Sequence, residues 1–284
     1  MIPQFIMHTH TKREQSAAYQ KLRQAAESAS ADYDESRALL QVDWSENYTC
    51  IEQNEVQSGH WAHQSVSLYT YSLWYCGEQH AGVLTTDKND HSKTTIVPFM
   101  DKILDKWPDC VTHLDVFTDG PSSQFKNRYM IAIVPALEAE HNIALRWHYF
   151  ATSHGKGPVD GIEGSAKRFV WNMVRSGNAQ VTNSESFVKA ATGMKNVYVE
   201  HMTEQETRDR AAKLNQETVF QASSAVGGVR QIHCFQVING EVRTADLTKD
   251  LDVTPPREEY SHSSCRYRTT KLCSGSIRHC SIRQ

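Results

Sequence analysis

Residues 114–127 read LDVFTDGPSSQFKN: an apolar run ends on Asp119, turns through Gly120, Pro121, Ser122 and Ser123, and resumes with Gln124, Phe125, Lys126 and Asn127. A carboxylate at the end of a buried strand carries a desolvation cost that either a bound cation or a turn must offset. The stretch alone leaves both readings open, so the elements on either side have to decide.

Upstream, residues 11–39 read as a helix rich in Lys, Arg, Gln, Glu and Ala. ALLQVDW (38–44) reads as a strand interrupted by Asp43, SVSLYTYSLWY (65–75) as a long β-branched and aromatic strand, and QHAGVLTT (79–86) as its hairpin partner. From Ser92 the period changes: Ile96, Phe99, Met100, Ile103, Leu104 and Trp107 fall at helical spacing, with Pro98 tolerated only in a first turn. Downstream, SSQFKNRYMIAIV predicts a helix that stops or bends at Pro135, and IALRWHYFA (143–151) predicts a strand. After SHGKGPVDG, the residues Ile162, Ala166, Phe169, Val170, Met173 and Val174 mark an amphipathic helix. The order is β-β-β-α-β-α-β-α.

Beyond Ser176 the pattern predicts a helix near 184–192, a strand NVYVEHM, a helix opened by the Thr203 to Glu206 capping spacing, and a hairpin turning at Asn239-Gly240. The stretch from Pro255 reads as an unfolded basic tail. The expected organisation is therefore an N-terminal helix (1–35), a central α/β domain (36–177), an α+β extension (178–253) and the tail (254–284).

The composition is that of a globular protein: 284 residues, 39% hydrophobic and 22% charged. The longest apolar stretches fall short of the roughly 20 residues a membrane helix needs. No leader pattern opens the chain, which leads to the expectation of a nuclear or cytoplasmic, non-secreted protein without a membrane partner. Seven cysteines without a Cys-x-x-Cys pair argue for free thiols, and a net charge of −3 confines any nucleic-acid binding to local patches. The glycines of HGKGPVDG do not match a phosphate-loop spacing, so no nucleotide cofactor is expected. His262, Cys265, Cys273, His279 and Cys280 match no zinc-finger spacing.

Three carboxylates occupy comparable stations: Asp43 in the first strand, Asp119 at the end of the fourth, and Asp160 where the fifth strand leads into a helix. Acids packed at one point repel, and hard divalent cations with oxygen ligands relieve that repulsion. Such a site suits phosphoryl transfer by two metal ions. At QVDWSENY, TDGPSSQFKN and SHGKGPVDGIEGSAKR the chain resembles the RNase H-like catalytic domain of DDE/D-type DNA transposases, and more narrowly animal proteins derived from such elements, over roughly residues 35–175. The resemblance implies an α/β fold with a mixed five-stranded RNase H-like sheet flanked by helices, followed by a smaller α+β extension. It further implies Asp43, Asp119 and Asp160 as metal-binding catalytic acids, Mg²⁺ (or Mn²⁺) as the cofactor in two copies, and DNA as the partner. A homodimer is left open. Glu163, one helical turn beyond Asp160, competes with it for the third catalytic position. Lys126, His154, Lys156, Lys167 and Arg168 are candidates for substrate phosphates.

Each acid also has a structural alternative: Asp119 as a turn former, Asp43 paired with an arginine, and Asp160 as a helix cap. The expected activity is DNA strand cleavage followed by 3′-hydroxyl transfer. Its rivals are an inactive binding descendant and a nuclease acting on RNA·DNA hybrids.

Overall fold

A computed structural model describes residues 2–28, 34–50, 64–106, 108, 110–151, 157–238 and 241–253. The chain is a mixed α/β protein built on one sheet. Helix α1 (Ile2–Glu27) leads into strand β1 (Arg37–Trp44), the short β2 (Tyr48–Thr49), and the long hairpin β3 (Ser65–Tyr75) and β4 (Glu78–Thr86). Then follow α2 (Lys93–Leu104), β5 (His113–Thr118), α3 (Arg128–His141), β6 (Ala144–Tyr149) and α4 (Pro158–Arg175). The chain continues through α5 (Ser184–Ala191), β7 (Val197–His201), α6 (Glu204–Lys213), α7 (Gln216–Ala222), β8 (Cys234–Ile238), β9 (Glu241–Ala245) and a 3-10 helix (Thr248–Val253). The Asn239-Gly240 turn, Trp107 and the tail after residue 253 lie outside the described residues.

The strands lie in the order β7-β4-β3-β1-β5-β6-β8-β9, with β2 pairing β3 beside this path. Strand β3 runs antiparallel to both β1 and β4, whereas β1, β5 and β6 run parallel to one another. The predicted five strands thus occupy the middle of a larger sheet. The expectation of a sheet that stops at five is corrected: β7 adds to β4 at one edge, and β8 with β9 to β6 at the other. Unpaired strand edges are liabilities, and the C-terminal segments cover both.

Strand alternation sorts the core into two layers. Leu40, Val42, Tyr69, Tyr71, Val116 and Trp147 pack with α2 and α3 on one face. On the other, Val66, Leu68 and Val83 pack against Ile162, Ala166 and Val170 of α4, while Leu39, Trp74 and Phe117 pack against Tyr19 and Ala26 of α1. Buried Gln15 pins α1 to the sheet: its amide donates to Tyr149 O and His233 O, and its oxygen accepts from Thr248 N–H.

Two local expectations are corrected, and of two alternatives at a proline one is removed, the stop at Pro135. The first helix spans Ile2–Glu27 rather than 11–39, because the chain enters β1 at Arg37. Pro98 sits in the interior of α2, not its first turn. A proline there removes the donor for the carbonyl four residues earlier, and Gln216 Nε2 of α7 donates to that carbonyl, Thr94 O, at 3.1 Å. Helix α3 likewise continues through Pro135, with Ile131, Ile133, Val134 and Leu137 all buried.

Gly82 pairs across the sheet with Tyr71, whose ring covers the space a side chain would need. Gly82→Val is expected to lower stability by about 1–3 kcal/mol through overpacking, read as a reduced midpoint in chemical denaturation with an unchanged slope.

Candidate functional site

Because β1 and β5 are parallel neighbours in register from Arg37↔His113 to Gln41↔Phe117, two further residues bring Asp43 level with Asp119. Both continue the alternation of the face that carries Leu39 and Phe117. The connection from β1 leaves toward β3 and that from β5 toward β6, so the two acids stand where a parallel sheet splits, at its carboxyl ends. Asp43 lies opposite Thr70, whose hydroxyl is 2.8 Å from Ser45 Oγ.

The third station arrives from helix α4. Gly157, its N-cap, lies directly on the Gln41 side chain, where any larger residue would collide. Gln41 Oε1 in turn accepts from Tyr19 OH at 2.7 Å. This contact sets the positive end of the α4 dipole, with Asp160 in its first turn, above the half of β1 that ends in Asp43. Burial pushes the Asp43 carboxyl up to about 7, with the charges of Asp119, Asp160 and Glu163 adding to the rise against a hydrogen bond from Trp44 N–H. The other three predicted acids therefore all act on Asp43.

They are not equally committed to that centre. Asp160 is exposed and its Oδ2 accepts from Gly157 N–H at 3.1 Å, a helix-capping bond worth about 1 kcal/mol. Glu163 is ion-paired with Lys167 one turn on. Lys126 is buried, its ammonium 5.4 Å from the centre of the Tyr149 ring, and burial pushes its pKa down to about 8 against the pull of Asp246. It lines the loop after Asp119 rather than an outer rim. Arg168 is exposed on α4, and His154 and Lys156 lie outside the described residues.

Two polar clusters escaped the sequence reading. Asp115, on the Asp119 face of β5, accepts from or pairs with His148 at 2.9 Å, Arg37 at 3.3 Å and Arg146 at 3.7 Å. Burial opposes its ionisation, but His148 and the two arginines hold it below the usual carboxylate range. The alternation Asp115, Phe117, Asp119 was the available signal. Asp101, Asp105 and His141 offer three ligand atoms within 4.8 Å of one another, a set able to hold a metal ion. Among the described residues it is the set that reaches this spacing, and the four predicted acids are more widely spread. Arg210 already lies 2.6 Å from both of these aspartates, and Lys213 lies 3.4 Å from Asp101, so charge there is balanced by α6. Only folding brings residues 101, 141 and 210 together, and spacing could not have revealed them.

A family model described as a domain of unknown function (DUF8701) matches residues 22–247. The chain belongs to that family. Within the DUF8701 span lie the sheet and all four acids. No curated protein matches the chain. Among solved structures, one titled "Crystal structure of NurA" aligns with 84% of this chain at 9% identity and a TM-score of 0.16, and the chain spans 50% of that one's length. That likeness is too slight to bear on the fold. Among the described residues no helix is long and apolar enough to cross a membrane.

The raised Asp43 value has a definite sign for stability. Above the ordinary 3.8 the unfolded chain releases a proton that the fold retains to about 7, so the fold is penalised progressively as pH rises across that window. In protein freed of divalent ions, melting temperature is expected to fall more steeply between about pH 4 and 7 for wild type than for Asp43→Asn. Glu138, raised to about 7 by burial, contributes equally to both proteins.

Proposed function

We propose that this chain is a transposase-derived, metal-dependent phosphoryl transferase acting on DNA, with a central RNase H-like unit. The observation that carries the reading is the side-by-side arrangement of Asp43 and Asp119 at the ends of the parallel neighbours β1 and β5. The start of α4, bearing Asp160 and Glu163, is held above them by the Gly157–Gln41 contact. The central order β4-β3-β1-β5-β6, with only β3 reversed, supports the RNase H-like description.

The donor set fits the cation. Carboxylate oxygens are hard ligands, the kind Mg²⁺ and Mn²⁺ prefer over nitrogen or sulfur. Asp43 and Asp119 would hold such ions, with Asp160 or Glu163 as the third ligand. Cations bound there would supply the charge that polarises a phosphodiester and stabilises the departing oxygen. The chain's own part is to crowd acids in a half-buried position and to aim a helix N-terminus at them, which favours their charged forms.

Three observations favour a second reading, a nucleic-acid-binding descendant without chemistry. Asp160 is used as a helix cap, Glu163 is paired with Lys167, and the acids are more widely spread than the Asp101 set.

The two readings separate in a cleavage assay on labelled duplex DNA and on an RNA·DNA hybrid of the same sequence with Mg²⁺ or Mn²⁺. The first predicts metal-dependent nicking of DNA, with Asp43→Asn and Asp119→Asn each slowing it by about 100-fold or more, the scale of losing one preorganised charge-stabilising group. Binding without cleavage in wild type would establish the second, and cleavage of the hybrid alone would identify a hybrid-specific nuclease.

A further inference from the structure

A groove of about 770 Å³ opens between the starts of α2 and α3 on one side and α6 and α7 on the other. We propose that it is a binding site for a single strand of nucleic acid, taking phosphates on Lys93, Arg128 and Arg208 and a base against Phe220 and Gln216. The inference rests on the nucleic-acid reading above and assigns that reading a substrate track.

Its walls have the required chemistry. The Tyr129 ring has Lys93 Nζ 4.5 Å and Arg128 Cζ 4.8 Å from its centre and is tilted against Phe220 at 5.1 Å. Arg128 Nη2 also donates to Tyr129 OH at 2.9 Å. The charges of Lys93 and Arg128 are thus held in place by an aromatic ring, leaving them available to an anion. Arg208 adds a cation from α6, ion-paired with Glu204 at 3.3 Å and donating to Gln205 Oε1 at 3.1 Å, and Glu217 is the one acid among the lining residues. Flat aromatic surface beside fixed cations is the combination that holds single strands, because each nucleotide offers a stacking face and a phosphate.

A second observation points independently to a ligand. Gln216 lines the groove and is 5% exposed; its amide nitrogen is spent on Thr94 O, the carbonyl that Pro98 leaves without a donor. Its Oε1 meets no hydrogen-bond donor among the described residues. Buried polar atoms are rarely left so, and a nucleobase N–H is a donor of the right kind once the Gln216 amide turns outward into the groove.

The groove also stands at the correct end of the sheet. Asp119 is joined by residues 120–127 to Arg128, the first residue of α3. Trp44, adjacent to Asp43, stacks on His91 with ring centres 4.4 Å apart, and His91 lies two residues before Lys93. The segment that carries Asp119 therefore runs into the basic wall, and the residue after Asp43 touches the segment that leads to Lys93, so the groove lies at the same end of the strands as the acids, on the other face of the sheet.

The test is fluorescence anisotropy of a labelled single-stranded DNA oligonucleotide with the full chain, alongside its duplex. Wild type is expected to prefer the single strand, and Arg128→Glu with Arg208→Glu to weaken binding about 10-fold or more and to flatten the dependence of log K on log salt by about 0.7 for each phosphate no longer neutralised. Lys93→Glu, on a separate helix, should act in the same direction, and circular dichroism melts verify that each variant is folded. Ultraviolet crosslinking of a bromouracil strand is expected to label the peptides containing Tyr129 or Phe220. Unchanged affinity in all of these folded variants, or crosslinks confined elsewhere, would overturn the groove assignment. Asp43→Asn should retain binding, so a protein that binds in the groove but never cleaves defeats the catalytic reading alone, whereas one that cleaves with the groove variants unaffected defeats the groove alone.

Discussion

The parallel pairing of β1 with β5 is the constraint on which the rest depends. In sequence Asp43 and Asp119 are separated by three strands, a helix and β5 itself, yet the register of this one ladder sets them side by side. A shift of one residue would turn either acid to the opposite face, into the layer of Val42, Val116 and Trp147, where a carboxylate has no compensating charge. Hydrophobic alternation on two strands buried on both sides thus guards the position of two polar groups.

Around that ladder the molecule spends buried polar contacts on orientation. Tyr19 holds Gln41, Gln41 lies under Gly157, and Gly157 starts the helix whose first turn carries Asp160. Gln15 ties α1 to the carbonyls at the end of β6 and before β8. On the opposite face, Asp101 and Asp105 of α2 engage Arg210 and Lys213 of α6, and Gln216 closes the gap left by Pro98. Both clamps join C-terminal helices to the central layer, so the segment after α4 is bound into the same body as the acids. Like-charge crowding at Asp43 and buried opposite-charge pairing at Asp101 are then two answers to one problem, the cost of ionised carboxylates away from water. The first holds its carboxyl toward the neutral form, while the second is satisfied by arginine.

Much of the fold was legible in the chain itself. The alternating and aromatic runs of β3 and β4, the helical spacing of α2 and α4, and the Thr203 to Glu206 cap all appear where local pattern predicts them. Errors arose where a distant group rescued a local defect. Pro98 reads as a helix limit, but Gln216 meets the orphaned carbonyl; Pro135 reads as a stop or a bend, and burial of Ile131, Ile133, Val134 and Leu137 carries α3 past it. The burial of Lys126 beside Tyr149 is likewise a tertiary fact that its sequence neighbours do not show.

By itself the sequence determined the identity and order of the main elements, though not β2, α7 or the last 3-10 helix, and the presence of acids near three strand or helix ends, because caps, periodicity and turn residues act within a few positions of one another. Which strands became neighbours, that residues 178–253 extend both edges of the sheet, and that Asp101 meets Arg210 while Arg128 shares a groove with Arg208 were decided only in tertiary structure. Those outcomes depend on long-range pairing and burial, whose energies are shared among residues far apart in the chain and leave no local pattern to read.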